Sequence, residues 1–354
     1  MTQTLRKVAI VGSARIPFCR AYTGYENESN LSMLSTAIGG LAEKYGLKGQ
    51  RIGEVMAGSV ISHSKDFNLA REALLDAGLS PQTPGTTLQI ACGTSLQAAL
   101  TLGAKIATGE IDSGIAAGSD TVSDSPVVLG PKMQKRMIAM SRARTTGEKL
   151  SAFKGFNFGE ITPVAPSTQE PRTGLSMGEH CELMAKQWGI SREAQDLLAL
   201  RSHQNAAAAY DSGFHDDLIV PCAGIYKDNN IRPDTSLEKM ATMKPAFDKK
   251  SGKGTLTAAN STPLTDGASS VLLASEDWAR ERGLPILGYL TMGAVSANDF
   301  AHGDGLLMAP TIAVSDLMRR SGLSFADIDL FELHEAFAAQ VLCTLAAWED
   351  PDYN

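Results

Sequence analysis

The opening third of the chain alternates short apolar runs with helix-patterned segments, and this alternation leaves few folds open. Val8-Ala9-Ile10-Val11-Gly12 reads as a buried strand ending in a turn. Leu31 to Tyr45 has helical spacing and stops at Gly46, a residue suited to a left-handed cap. Glu54 to Val60 reads as a strand, Asn68 to Ala77 as a short helix and Thr86 to Ala91 as a strand. Ser95 to Thr108 reads as a helix of small residues, and Ser113 to Ala117 as another strand. Strands that alternate with helices need crossover connections. They predict an α/β fold with a largely buried, partly parallel sheet.

The middle of the chain breaks this rhythm. From Lys132 to Lys154 there are seven basic residues (Lys132, Lys135, Arg136, Arg142, Arg144, Lys149, Lys154) against one acidic residue, Glu148, a local balance of +6. Gly155 to Gly174 carries Pro163, Pro166 and Pro171 and reads as loop. Helices are expected at Met177 to Trp188 and Arg192 to Tyr210. The stretch reads as an insertion between two sheet-forming halves. The expected division is 1–126 for the first half, 127–250 for the insertion and 251–354 for the second half.

The second half repeats the first. At an offset of 276 residues, Val314, Leu317, Gly322, Leu323 and Ile328 fall on Ile38, Leu41, Gly46, Leu47 and Ile52. The same offset lays Ile286-Leu287-Gly288 on Ile10-Val11-Gly12. One register across a strand and a helix-turn-strand unit points to duplication. It also maps the end of the chain, Asn354, onto Gly78, before the counterparts of several first-half strands. The second half is therefore expected to be cut short, with low stability and activity for this chain alone.

Composition removes several function classes. The net charge of −7 argues against a nucleic-acid binder. The five cysteines are scattered and odd in number, which suits a reducing compartment with room for one reactive thiol. The apolar run at Val8 to Val11 is too short for a signal-peptide core, and no stretch reaches membrane-spanning length, so cytoplasm is the expected location. No phosphate-cradling loop and no dinucleotide glycine fingerprint occur, so no bound cofactor is expected.

Two corners carry residues suited to chemistry. Cys92 follows an apolar run and precedes a helix, in Leu88-Gln89-Ile90-Ala91-Cys92-Gly93-Thr94-Ser95. A helix N-terminus favours thiolate over thiol, and Gly93 lets a substrate approach. A small buried core residue is the equal alternative. His334 follows Asp329 to Leu333, which reads as an apolar strand, and His334-Glu335-Ala336-Phe337 reads as the start of a helix ending near Trp348. A histidine there can donate to a developing oxyanion or simply bond the helix start. No second histidine follows at zinc spacing, and no metal site is expected. Thr255 to Thr262, ahead of Thr265-Asp266-Gly267-Ala268, offers small and hydroxyl residues for a ligand or for a turn. His180 beside Cys181 reads as incidental to a helix face.

In this order and spacing the motifs resemble the thiolase family over essentially the whole chain. Lys7 to Phe18 is similar to its opening strand, Cys92 to its acylated cysteine, and Ala116 to Pro126 to its glycine-rich strand end. Met177-Gly178, Arg232, Lys244-Pro245-Ala246-Phe247 and Thr257 to Gly267 resemble its coenzyme A region. The histidine form of His334-Glu335-Ala336-Phe337 is similar to β-subunits of fatty-acid β-oxidation trifunctional complexes. The resemblance implies a duplicated five-layer α/β/α/β/α core with an inserted loop domain, and thiolysis of 3-ketoacyl-CoA, or its reversal, with coenzyme A as substrate. It assigns Cys92 as nucleophile and His334 as oxyanion donor. It assigns Met177, Arg232, Ala258, Thr262, Ala336 and Phe337 as coenzyme A contacts. It also implies a homodimer or higher homo-oligomer, a hydratase/dehydrogenase α-subunit partner, and peripheral membrane contact through the basic segment, where Met133, Met137 and Met140 share one helical face; a solvated lid touching coenzyme A phosphates is the equal alternative for that segment. Two departures stand out. Neither the family's Cys-x-Gly-Gly turn nor its Gly-His-Pro histidine occurs in this chain, and Ser176 replaces the histidine before Met-Gly. A non-catalytic acyl-CoA binder or scaffold on the same fold is the alternative reading.

Overall fold

The computed structural model describes residues 4–353; Asn354, where the sequence stops, lies outside them. The strands are β1 (Val8–Arg15), β2 (Cys19–Arg20), β3 (Glu54–Gly58), β4 (Gly85–Thr87), β5 (Ser113–Asp120), β6 (Val128–Leu129), β7 (Pro163–Val164), β8 (Thr265–Ser275) and β9 (Gly288–Tyr289). The helices are α1 (Asn30–Lys44), α2 (Leu69–Asp76), α3 (Thr94–Ala107), α4 (Pro131–Arg142), α5 (Thr146–Ser151), α6 (Met177–Gln187), α7 (Arg192–Asp211), α8 (Leu237–Ala241), α9 (Glu276–Glu281), α10 (Ala309–Ser321) and α11 (Ala338–Glu349).

One mixed, seven-stranded sheet organises the molecule, in the order β4-β3-β5-β8-β1-β9, with β2 pairing β8. β3 runs parallel to β4 and β5, as crossover helices require. β8 is antiparallel to both of its neighbours. Side chains alternate across this sheet with a period of two. Val55, Ile115, Leu272 and Val11 point to a core shared with Leu34, Ile38 and Leu41 of α1 and Leu74 of α2. Met56, Ala116, Leu273 and Val8 point to the opposite face and meet Ala98, Leu102 and Ile106 of α3. Both faces are thus covered, which is why β3 and β5 read as unbroken small or apolar runs.

β8 comes from the segment expected to open the second half, yet it is an interior strand between β5 and β1. Its sequence shows neither alternation nor a β-branched run, and the sequence analysis did not propose it as a strand. The repeat is visible in one turn: α1 is followed by Gly46 at φ +63° and α10 by Gly322 at φ +71°. The expected strand at Asp329 to Leu333 is not formed, and Leu330 is 89% exposed. A strand persists only where a neighbour completes its ladder, and that segment has none. Among the described residues the other sheet is the two-stranded β6–β7 pair. The basic segment folds as α4 and α5, and the loop at 155–174 carries β7, which pairs β6.

A largely buried ion pair ties the chain after α7 to the sheet. Arg15, at the end of β1, donates from both Nη atoms to Asp228, at 2.8 and 3.0 Å. The same carboxylate accepts from Phe18 N at 2.6 Å, and Asp228 N donates to Tyr210 Oη at 3.0 Å. Removing one member of a buried pair leaves an uncompensated charge and typically costs ~3–5 kcal/mol. Asp228→Ala should therefore lower unfolding stability by about 3 kcal/mol. A urea midpoint matching that of the parent chain would show that the pair does not hold that segment.

Candidate active site

The residues around Cys92 form a tight turn rather than the expected strand end. Ladder pairing of β4 stops at Thr87, and Ala91 adopts φ +44°, a conformation that costs a non-glycine residue roughly 1–2 kcal/mol. Thr94 holds the turn closed. Its hydroxyl donates to Ala91 O at 2.7 Å and accepts from Ile90 N at 3.0 Å, while Gly93 N donates to Ile90 O at 3.1 Å. The result presents Cys92 just before the N-cap of α3. Cys92 is exposed, whereas Cys19, Cys181, Cys222 and Cys343 are buried.

Cys92 lines a cavity of about 130 Å³, room for a reacting group rather than a whole ligand. Two glycines permit its shape. A Cβ on Gly58 would fall on the Leu88 carbonyl oxygen, and one on Gly118 would fall on the Ser95 hydroxyl. Carboxylates hold the surrounding loops. Asp120 accepts from Val60 N and Ile61 N, each at 2.9 Å. Asp266, fully buried, accepts from Val122 N at 2.7 Å and from the Ser123 hydroxyl at 2.5 Å.

This environment opposes the simple helix-terminus expectation. Burial of the concave site pushes the Cys92 thiol above its ordinary range, and the Asp120 charge pushes it the same way. Burial also raises Asp120, against the pull of the Ile61 and Val60 N–H groups. Asp120 and Asp266 were not singled out as site residues in the sequence. The available signal was two acidic residues beside small residues at one end of a buried antiparallel strand pair, Asp120 in β5 facing Gly267, next to Asp266, in β8.

The remaining expected site residues gather elsewhere. Ser261 pairs with Phe337 as an antiparallel bridge, and Thr262 N donates to Ala336 O at 3.0 Å. This brings Thr262, Ala336 and Phe337 together, with Ala258 on the same loop as Thr262. Ala258 and Thr262 are exposed, but Phe337 is buried edge-on against Phe247, which leaves it little surface for a ligand. Met177 begins α6, and the ring of Phe247 sits where a Cβ on the next residue, Gly178, would lie. Arg232 N donates to His203 Nδ1 at 3.3 Å, and burial followed by the Arg232 charge keeps His203 below the usual imidazole range. His334 is exposed and lies before α11, whose N-cap is Phe337, so it is not at a helix start as expected. It does not line the Cys92 cavity.

Comparison with known proteins matches this arrangement to a family. The family model "Thiolase, N-terminal domain" matches residues 8–277, and "Thiolase, C-terminal domain" matches residues 285–351. The second match gives no support to the expected truncation. A 3-ketoacyl-CoA thiolase of Serratia proteamaculans (strain 568) is 39% identical over 353 residues, covering 98% of this chain and 80% of the relative. A 3-ketoacyl-CoA thiolase of Yersinia pestis (strain Pestoides F) is 39% identical over 345 residues, covering 96% of this chain and 78% of the relative. The crystal structure of the Bacillus anthracis acetyl-CoA acetyltransferase superposes with a TM-score of 0.82 at 28% identity, covering 97% of this chain and 83% of that one.

The raised thiol gives a pH prediction. A thiol held above its ordinary pKa is less ionised at every pH below that value, so Cys92 should react with iodoacetamide more slowly than free cysteine at neutral pH. Its rate should rise with a midpoint on the alkaline side of an ordinary thiol. Asp120→Asn keeps Oδ1 as acceptor for Val60 N and Ile61 N but removes the charge, so it should move that midpoint down. A parent midpoint at or below that of free cysteine would refute this account of the cavity.

Proposed function

The chain belongs to the thiolase family, and from that premise we propose that it transfers the acyl group of a 3-ketoacyl-CoA to coenzyme A and releases acetyl-CoA. The observation that carries the reading is the exposed thiol of Cys92, set on a strained turn over a small cavity while the other four cysteines are buried. The Cys92 sulfur attacks the 3-keto carbon. The bond between C2 and C3 breaks, and its electron pair leaves as the acetyl-CoA enolate, which takes a proton. Coenzyme A then attacks the thioester carbon, and the Cys92 sulfur leaves. Because the resting thiol is held neutral, its proton must be removed when substrate binds.

In this reading His334 donates to the oxyanion of one of these steps. Coenzyme A lies along the surface formed by Met177, Ala258, Thr262 and Ala336, with Arg232 toward its phosphates. We assign the activity to fatty-acid β-oxidation, as the histidine form of the His334 motif suggests, and place it in the cytoplasm. Among the described residues no helix is long and apolar enough to cross a membrane. A second reading, a non-catalytic acyl-CoA binder, draws on the raised thiol and on the absence of any histidine from the lining of its cavity.

Acetoacetyl-CoA should leave an acetyl mass on the Cys92 peptide, and Cys92→Ala should abolish turnover. His334→Ala should lower kcat by ~10²–10³ with little change in KM. Acyl mass found only on other cysteines, or binding with no acylation at all, would favour the binder.

We further propose that the α4–α5 segment touches an anionic membrane. Arg136 is committed to Glu160, with Nε to Oε2 at 2.6 Å, and to the carbonyls of Ala152, Lys154 and Gly155. Lys132, Lys135, Arg142, Arg144 and Lys149 remain exposed beside Ile138 at 52%, Leu150 at 72% and Phe158 at 83%. Exposed cations interleaved with apolar side chains suit an anionic lipid surface. The chain should float with phosphatidylserine vesicles at low salt and be released at high salt. Equal recovery with neutral vesicles, or no flotation, would retire the idea.

A further inference from the structure

Helices α6 and α7 send three buried polar side chains into one loop. Glu182, 2% exposed, accepts from Thr255 N at 2.8 Å, Thr255 Oγ1 at 3.0 Å and Leu256 N at 2.9 Å. Gln195, fully buried, donates to Thr255 Oγ1 at 3.0 Å. Asp196, 4% exposed, accepts from Arg192 Nε on Oδ2 at 2.7 Å and from Asn260 Nδ2 on Oδ1 at 2.8 Å. Asn260, 2% exposed, uses its Oδ1 to accept from Thr257 N at 2.7 Å.

The loop passes this constraint on. Asn260 O accepts from Ala338 N, and Thr262 N donates to Ala336 O, both at 3.0 Å. α7 also reaches the same segment directly, since the Ser202 hydroxyl donates to Glu335 Oε2 at 2.5 Å. Positions 335, 336 and 338 are therefore all referenced to α7, while the stretch before His334 forms no strand.

We propose that Asp196 and Asn260 are positioning residues that set the location of His334. The inference rests on the role given to His334 above. It predicts more than loss of stability, because the pair is polar in a defined direction: carboxylate on the helix, amide on the loop. Asp196→Asn alone sets an amide against the Asn260 amide or against Arg192 Nε. Asn260→Asp alone sets carboxylate against carboxylate. The double exchange restores the chain of bonds from Arg192 to Thr257 and gives up the 3.3 Å bond from Asn260 Nδ2 to Thr255 O. Asn at 196 accepts from Arg192 Nε and donates to Asp at 260, which accepts from Thr257 N.

The test compares both single variants and the double by hydrogen exchange of peptides covering 255–262 and 334–340, and by kcat and KM for acetoacetyl-CoA thiolysis. Each single variant should speed exchange in 334–340 and lower kcat by about 10–10²-fold with KM little changed. The double should return both toward the parent. In a His334→Ala background the single variants should lower kcat no further. Unchanged exchange at 334–340, a kcat loss that persists without His334, or a folded double variant no better than the singles would overturn the proposal. If the parent chain shows no turnover, the functional reading fails, and the exchange arm still decides this one.

Discussion

Carboxylates satisfied by backbone N–H groups hold this molecule together where its elements would otherwise drift apart. Asp228 joins the turn after β1 to the chain after α7, Asp266 joins the start of β8 to the loop after β5, Asp120 joins β5 to the loop after β3, and Glu182 joins α6 to the loop before β8. A buried anion is costly unless donors surround it, and backbone N–H groups are donors whose positions the chain path decides. Each carboxylate therefore specifies a loop conformation, not merely a contact. The loops fixed in this way are those around the Cys92 cavity and those beneath Ala336.

Two environments result, and they differ in kind. The Cys92 cavity is made from glycines, small hydroxyl residues and a carboxylate on the sheet side. It shapes space tightly and disfavours the charged thiol. The surface at Ala258 and Thr262 is exposed, with Ala336 half-buried beside it, and is borne by an irregular backbone that α6 and α7 support. The first is suited to a small reacting centre and the second to an extended ligand. Helices α6 and α7 thus serve as the backing for the second surface.

The first 120 residues were largely legible because their signals are local. Periodicity located α1, α2 and α3, and short apolar runs located β1, β3 and β5, with ends displaced by only a few residues. β8 was not, because Gly267-Ala268-Ser269-Ser270 carries no strand preference and is extended only through its ladders with β1 and β5. Asp329 to Leu333 erred in the opposite direction: an apolar run with strand character but no neighbour to pair with. Cys92 was recognisable from its neighbours in sequence, yet the sign of its ionisation was not, since Asp120 lies 28 residues away and reaches it only through the fold. The Asp196–Asn260 bond, across 64 residues, was hidden for the same reason.

The interior position of β8 has a consequence for how the chain is made. β1 and β5 are synthesised by residue 120, but the strand that joins them is not complete until residue 275. At typical synthesis rates of about 5–20 residues per second, that interval lasts roughly 8–30 s. Through it, two apolar strands with unfilled edges must remain apart and unaggregated in a nascent chain. The segment between β5 and β8, which carries α6 and α7, is the length of polypeptide that imposes this delay, so its expansion in a relative would lengthen the exposure even where the finished structures superimpose.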